Sequence, residues 1–295
     1  MIAFSTLTLA ACGEQETTER LQVVATTTFM GDLVYQVTGD LVDLHVLMAP
    51  GVDPHDFVPT QSDTARLQAA DLVVVNGLDL EERMGQVLTS LGSERVIVLG
   101  EMLDEAQLLF EDDEGVFDPH IWFDVRLWAT LPPLLAARLG TLEPNLSSTF
   151  EARAQAYVNE LMMLDQWIRQ QVEAIPQAQR ILITAHDAFA YFGRAYDFEV
   201  YAIQGISTEG EASIADIEAL AALMQARNVT AVFFETTIPE QTVQALVQAA
   251  NALGHEARVG GALFSDSTGS FEEGLETLIR AMHHNVQTIL SALGE

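Results

Sequence analysis

The chain has 295 residues, of which 49% are hydrophobic, so it can bury a large core and is too apolar for an intrinsically disordered protein. Its 43 acidic residues outnumber 13 basic ones, all arginines, and the formal net charge of −30 argues against nucleic acid as a partner. Two explanations of this negative charge compete: an electrostatic field that attracts cations, and adaptation to a saline or acidic exterior. We favour adaptation, because the acidic residues are scattered and because salt screens an electrostatic field beyond roughly 10 Å.

The first 20 residues differ from the rest of the chain. Residues 2–12 form a short apolar stretch that ends in LAAC at Cys12 and resembles the lipobox of bacterial lipoproteins, in which the cysteine is lipidated. Cys12 is the only cysteine and therefore cannot form a disulfide within the chain. The alternative is that Cys12 is buried in a core, but a polar, Glu-rich spacer follows it directly, where no core is expected. We expect residues 1–20 to be a signal segment, lipobox and spacer, with Cys12 carrying a lipid anchor to the membrane.

Apolar runs typical of strands alternate with helical patterns along the first half of the chain. The strand-like runs are residues 21–26, 44–48, 72–76 and 96–99. The helical patterns include residues 62–70 and 80–91. Alternation of this kind predicts a parallel sheet covered by helices on both faces.

The same pattern returns in the second half. Its strand-like runs are residues 180–184, 199–202, 231–235 and 256–259, and its helical patterns include residues 214–227 and 240–253. We therefore predict an α/β protein of two similar lobes, residues 21–146 and 177–295, each with a mostly parallel four-stranded sheet.

A long helix is predicted between the lobes, over residues 147–176. From Ser147 to Ile175 there is no glycine or proline, and apolar residues recur at steps of three and four. Ser148 and Glu151 have the spacing of a capping box at the start of the helix, and Pro176 is expected to end it. Such a helix would be on the order of 40 Å long and would allow only a limited closing motion between the lobes.

Three histidines and one aspartate stand in distinctive loops: His55, His120, His186 and Asp266. Each follows a strand-like run or lies in a loop that contains proline, where α/β folds place their functional groups. They are too far apart in the sequence for a local metal site such as a zinc finger, so they can meet only in a cleft built by the whole fold. Three imidazoles and a carboxylate suit a first-row divalent cation, above all zinc. The remaining histidines, His45, His255, His283 and His284, are expected to be ordinary polar residues.

The chain resembles the metal-binding solute-binding proteins of zinc and manganese ABC importers. The resemblance covers residues 21–293 and rests on PHDFVPTQSD (54–63), DPHIWFD (118–124), TAHDAFAYF (184–192), GISTEGE (205–211) and GGALFSDS (260–267). Val125 stands where the second motif of the family usually ends in proline.

The resemblance implies a function outside the cytoplasm, at the cell envelope. In such a protein His55 and His120 from the first lobe and His186 and Asp266 from the second hold one divalent ion, which is delivered to the permease of an ABC importer. The protein would be a monomer and would not be an enzyme. Glu235, at a predicted strand end, either orients a ligand histidine by accepting a hydrogen bond or is a carboxylate in water.

The choice between zinc and manganese stays open. His186 occupies the position where manganese-selective relatives carry glutamate, which favours zinc, but residues 101–118 lack the histidine-rich loop of many zinc-specific members. A zinc-dependent hydrolase and a surface adhesin are the alternative functions. The hydrolase is disfavoured because four protein ligands would leave no position for a catalytic water, and because the chain lacks an HExxH motif.

Overall fold

The computed structural model describes residues 20–111, 115–208, 210 and 212–294. Cys12 and the acidic residues 112–114 lie outside these described residues. Among the described residues, no helix combines the length and the hydrophobicity that crossing a membrane requires.

Strands and helices alternate as the sequence predicts. The strands are β1 (Gln22–Ala25), β2 (Asp43–Val46), β3 (Leu72–Val75), β4 (Val96–Val98), β5 (Phe110–Glu111), β6 (Val116–Phe117), β7 (Ile181–His186), β8 (Glu199–Gln204), β9 (Ala231–Glu235) and β10 (Arg258–Leu263). The α-helices are α1 (Thr28–Thr38), α2 (Gln61–Ala69), α3 (Gly85–Leu91), α4 (Val125–Trp128), α5 (Leu131–Leu142), α6 (Ser147–Val172), α7 (Ala190–Tyr196), α8 (Ile214–Arg227), α9 (Gln241–Ala252) and α10 (Leu278–Leu293).

The first lobe contains the predicted four-stranded parallel sheet, in the order β2-β1-β3-β4. Both faces of this sheet are covered, because successive residues of β1 enter different cores. Val23 packs with Phe29 of α1 in one core, whereas Val24 packs with Leu67 of α2 in the other. Burial on both faces explains why β3 is a continuous Leu-Val-Val-Val run rather than an alternating one.

The second lobe contains all four predicted strands, but backbone hydrogen bonds join them in two parallel pairs, β7 with β8 and β9 with β10. The ends of β7 and β9 lie side by side, because the backbone N–H of His186 donates to the side chain of Glu235 at 2.9 Å. At this junction a side-chain hydrogen bond stands where a ladder bond of a continuous four-stranded sheet would be. The α/β class and the parallel direction are confirmed.

A small antiparallel hairpin of β5 and β6 was not predicted from the sequence. Its two short strands flank the acidic run, which gave no strand signal of its own. The hairpin leads directly into Asp118, whose backbone N–H donates to the carbonyl of Leu109 at 2.9 Å. It therefore fixes the start of the segment that carries His120.

The linker helix α6 has 26 residues and buries the predicted apolar stripe, from Phe150 to Val172. The predicted capping box is wrong. A tight turn at Pro144–Leu146 leads into the helix, so Ser148 already lies inside the first turn, and it is the Ser147 hydroxyl that donates to Glu151. At the other end the helix stops at Val172, four residues before Pro176.

One apolar core runs through both lobes and the linker. Its buried members include Phe29 of the first lobe, Leu161 of α6 and Phe233 of the second lobe. The linker packs against α1 and α5 of the first lobe and against α10 of the second. The two lobes are therefore held by a shared core as well as by a covalent connection.

Candidate metal centre

The structure brings together the four residues that the sequence singled out. His55 lies in the loop after β2, His120 follows the hairpin strand β6, His186 is the last residue of β7, and Asp266 lies three residues beyond β10. All four are buried, with exposed fractions of 5% for His55, 0% for His120 and His186, and 1% for Asp266. They sit between the lobes. His55, His186 and Asp266 follow parallel strands, at the side of the sheets where α/β folds commonly bind ligands, whereas His120 follows the antiparallel hairpin.

Four of the separations between the donor atoms match the coordination sphere of a small cation. The Nε2 atom of His120 lies 3.4 Å from Nε2 of His55 and 3.3 Å from Nε2 of His186. The Asp266 carboxylate lies 3.3 Å from Nε2 of His120 and 3.2 Å from Nε2 of His186. One ligand atom from each residue lies within 4.8 Å of the others. Four donors about 2.0–2.1 Å from a tetrahedral zinc ion would be about 3.3–3.4 Å apart.

Two buried carboxylates determine which nitrogens face the centre. Nδ1 of His120 lies 2.7 Å from Asp118, and Nδ1 of His186 lies 2.5 Å from Glu235. A proton held on each Nδ1 by its carboxylate leaves Nε2 with a lone pair directed at the centre. Oδ1 of Asp266 is also buried and forms no hydrogen bond among the described residues. Lone pairs that converge in this way repel one another unless a cation or protons lie between them.

The same tripeptide, Asp-Pro-His, forms the same turn in the two segments of the first lobe that carry His55 and His120. Asp53 accepts the backbone N–H of His55 at 2.9 Å, and Asp118 accepts that of His120 at 2.9 Å. This is the Asx turn, in which a side chain accepts a bond from the backbone two residues on. Sequence reasoning assigned no role to either aspartate. A carboxylate two residues before each histidine is the signal that could have found them.

The charges within the site alter proton affinities in opposite directions. Burial lowers the pKa of His55 to about 3. Burial acts against protonation of His120 as well, but the nearby carboxylates of Asp118 and Asp266 outweigh it and raise its pKa to about 9.

The second lobe shows the same competition. For His186, Asp266 and Glu235 overcome the effect of burial and raise the pKa well above the usual value. Burial disfavours the charged form of Asp266, yet the two imidazoles hold the pKa of that carboxyl well below its usual range. The site therefore stabilises positive charge, whether as protons or as a metal ion.

Glu235 is only 3% exposed and contacts His186 through both of its carboxylate oxygens. The alternative that it is a carboxylate in water is therefore wrong. Its contact with Nδ1 is the arrangement through which an outer carboxylate orients a metal-binding histidine. None of the other histidines joins the group of four within the part of the chain that the structure describes.

Comparisons with known proteins agree on one family. A family model described as ZnuA, the periplasmic component A of a zinc-uptake complex, matches residues 23–292. The zinc-binding protein TroA of Treponema pallidum (strain Nichols) is 42% identical over 272 residues, which span 92% of this chain and 88% of the relative. The manganese-binding lipoprotein MntA of Bacillus subtilis (strain 168) is 35% identical over 297 residues, 99% of this chain and 97% of the relative.

The fold agrees as closely. The solved structure of the periplasmic zinc-binding protein TroA from Treponema pallidum superposes with a TM-score of 0.91 at 41% sequence identity. The superposition covers 94% of this chain and all of that one (100%).

Proposed function

The chain belongs to the family of the periplasmic zinc-uptake component A, and from that premise we propose that it binds one divalent metal ion between its lobes and delivers it to an ABC importer. The ion is cargo rather than a cofactor. The observation that carries the proposal is the convergence of His55, His120, His186 and Asp266 on one buried point, with one donor atom of each residue within 4.8 Å of the others.

The four residues are the proposed ligands. The Nε2 atoms of His55, His120 and His186 supply three nitrogen donors, and Asp266 supplies a carboxylate oxygen. Asp118 and Glu235 orient two of the imidazoles. Both carboxylates are buried, so water does not compete for these contacts. Two ligands come from each lobe, so a bound ion ties the lobes together and favours the closed form.

Zinc is the proposed ion of highest affinity. A site with three imidazole nitrogens and one carboxylate suits zinc, and divalent zinc binds nitrogen ligands more tightly than manganese does. One relative is named a zinc-binding protein and another a manganese-binding lipoprotein. Because metal supply as well as affinity determines what is carried in the cell, manganese stays a second candidate for transport.

The proposed partner is the membrane permease of the importer. A lipid on Cys12 would hold the protein at the cell envelope, in the periplasm or on the outer face of the cytoplasmic membrane, and relatives are named lipoproteins. We propose that residues 21–146 and 177–295 act as the two lobes and residues 147–176 as the linker, and that the protein works as a monomer.

Catalysis is not part of the proposed function. A hydrolytic zinc site keeps a position open for water, whereas the four side chains here would occupy a tetrahedral ion completely. A role in adhesion is the other alternative. Deletion of the gene would distinguish the two, because loss of uptake that excess metal rescues is expected of a transport protein and not of an adhesin.

Metal analysis of the purified protein tests the proposed ligands. We expect one zinc per chain, and at least tenfold weaker zinc binding in His186→Ala and in Asp266→Ala, because each change removes one of four donors. The matched control is His45→Ala, which removes a histidine outside the group. Undiminished affinity in both ligand variants would contradict the assignment.

A further inference from the structure

Three of the proposed ligands are braced across the lobes by fully buried hydrogen bonds. The indole N–H of Trp122, two residues after His120, donates to the carbonyl of Ser265 at 2.8 Å, directly before Asp266. The hydroxyl of Tyr191, from the second lobe, donates to the carbonyl of Asp118 at 3.0 Å. These bonds tie the His120 segment to α7, which follows His186, and to the loop that carries Asp266.

His55 is held differently. Its loop reaches the second lobe through two partly buried hydrogen bonds: the hydroxyl of Thr208 donates to Asp53 at 2.7 Å, and the backbone N–H of Gly51 donates to the hydroxyl of Ser267 at 2.9 Å. His55 is also the most exposed of the four and borders a cavity of about 120 Å³ between the lobes. The hydrogen bonds that hold the His55 loop to the opposite lobe are therefore more exposed than those that hold the His120 segment.

The two Asp-Pro-His turns explain the difference. In the second turn, the oxygen of Asp118 that accepts the backbone N–H also contacts the imidazole of His120. In the first turn, one oxygen of Asp53 accepts the backbone N–H of His55, while the other accepts the hydroxyl of Thr208 across the cleft. The Asp53 carboxylate is thus shared between the backbone of His55 and the second lobe.

We propose that the Asp53–Thr208 hydrogen bond is a clasp that sets how long the metal ion is retained. Asp53 is a positioning residue: it acts through His55 and does not touch the ion. Opening the clasp would leave only the Gly51–Ser267 hydrogen bond of this pair to hold the His55 loop, so that one ligand could leave more easily while the braced set of three stays together. The inference rests on the proposed function, because it concerns retention of an ion at that same site.

A clasp that forms as the lobes close should act on dissociation more than on association. Changes within one binding site alter mainly the rate at which a ligand leaves. Loss of one hydrogen bond to a charged acceptor corresponds to a change of about tenfold or more in an equilibrium constant. We therefore expect most of that change to appear in the dissociation rate.

Stopped-flow release of zinc into excess chelator tests the clasp in the full chain. Thr208→Val keeps the shape of the side chain without its hydroxyl, and we expect zinc to dissociate about tenfold faster, with an association rate within about twofold of the original. Thr208→Ser restores the hydroxyl and should restore slow release. Thr141→Val is the matched control, since the Thr141 hydroxyl donates to the carbonyl of Arg138 within α5, on the same lobe.

The outcomes separate the clasp from the function on which it rests. Dissociation from Thr208→Val within about twofold of the unmodified protein would overturn the clasp while leaving metal binding intact. Equal acceleration by the Thr141→Val control would overturn it as well, because the effect would not be specific to the cleft. Absence of zinc binding by the unmodified protein would overturn the proposed function together with the clasp.

Discussion

The protonation state of each proposed ligand depends on its burial and on the carboxylates around it. His55 has no partner that favours its protonated form strongly enough to outweigh burial, which lowers its pKa to about 3, so it is neutral at ordinary pH. The pKa of His120 is shifted in the opposite direction, because Asp118 and Asp266 outweigh the effect of burial and raise it to about 9. In the metal-free closed site His120 therefore carries a proton at neutral pH. A metal ion binding there must displace it.

Zinc affinity should consequently rise with pH through a window set by His120. Below about pH 9 the ion competes with the proton of His120, so the apparent affinity should increase between pH 6 and pH 9 as that proton is lost. The proton of His186, whose pKa is also raised by the neighbouring carboxylates, adds to this competition. The ordinary imidazole value would place this change near pH 6.5. Titration against a chelator of known affinity, repeated across this range, measures the window.

The control for this prediction is Asp118→Asn. An asparagine can retain the Asx turn but removes the charge that raises the pKa of His120, so the pH window should move towards lower pH. Zinc affinity that is constant between pH 7 and pH 9 in the unmodified protein would contradict the proton competition.

Sequence alone could single out the candidate metal-binding side chains but not the residues that support them. His55, His120, His186 and Asp266 have distinctive neighbours in the sequence, so their residue types and order were sufficient to single them out. The roles of Asp53 and Asp118 depend on which way each carboxylate oxygen points within a tight turn. That direction is set by partners such as Thr208, which is 155 residues away from Asp53 in the chain.

At the scale of elements, the linker helix depends on a buried charge as well as on its apolar stripe. Asp165 of α6 is 1% exposed and pairs with Arg126 of the first lobe at 2.8 Å and with Arg169 of its own helix at 3.0 Å. Arg169 also donates to the carbonyl of Ala195 at the end of α7, in the second lobe. One carboxylate thus joins the linker to elements on both sides.

Asp165→Asn should lower the free energy of unfolding by about 2 kcal/mol, because a buried acceptor of charged hydrogen bonds is weakened while both arginines remain partly solvated. Urea denaturation followed by circular dichroism measures the change. The comparison variant is Glu199→Gln, which breaks an exposed pair with Arg227 and should change stability little. Equal stability of the two variants would show that Asp165 is not a structural support.

Elements with a clear hydrophobic period were predicted well, and those without one were missed. The eight strands of the parallel sheets and the helix α6 follow from apolar runs and from three-and-four spacing. The hairpin of β5 and β6 has two residues in each strand, too few to establish any period. The start of α6 at Ser147 agrees with the prediction, but the predicted capping box was wrong, because a tight turn at Pro144–Leu146 leads the chain into the helix without a side-chain cap.

At the scale of the molecule, the two lobes are not independent bodies. The largest apolar core contains residues of the first lobe, the linker and the second lobe. Buried hydrogen bonds such as Trp122 to Ser265 add polar contacts across the same boundary. The motion that opens and closes the cleft between the lobes must therefore be small. The cleft can loosen only where the contacts between the lobes are partly exposed, as they are around the His55 loop.

A shared core predicts that both lobes unfold in one cooperative transition, and that zinc raises the midpoint of the whole transition. At a zinc concentration a thousandfold above the dissociation constant, binding to the native state alone stabilises it by about 4 kcal/mol, which corresponds to a rise on the order of 10 °C. Calorimetry with and without zinc measures both effects, with Asp266→Ala as the variant expected to respond weakly. Magnesium should also have little effect, because it prefers oxygen ligands. Two separate transitions, of which zinc moves only one, would mean that the lobes fold independently and that the ion stabilises one of them rather than their union.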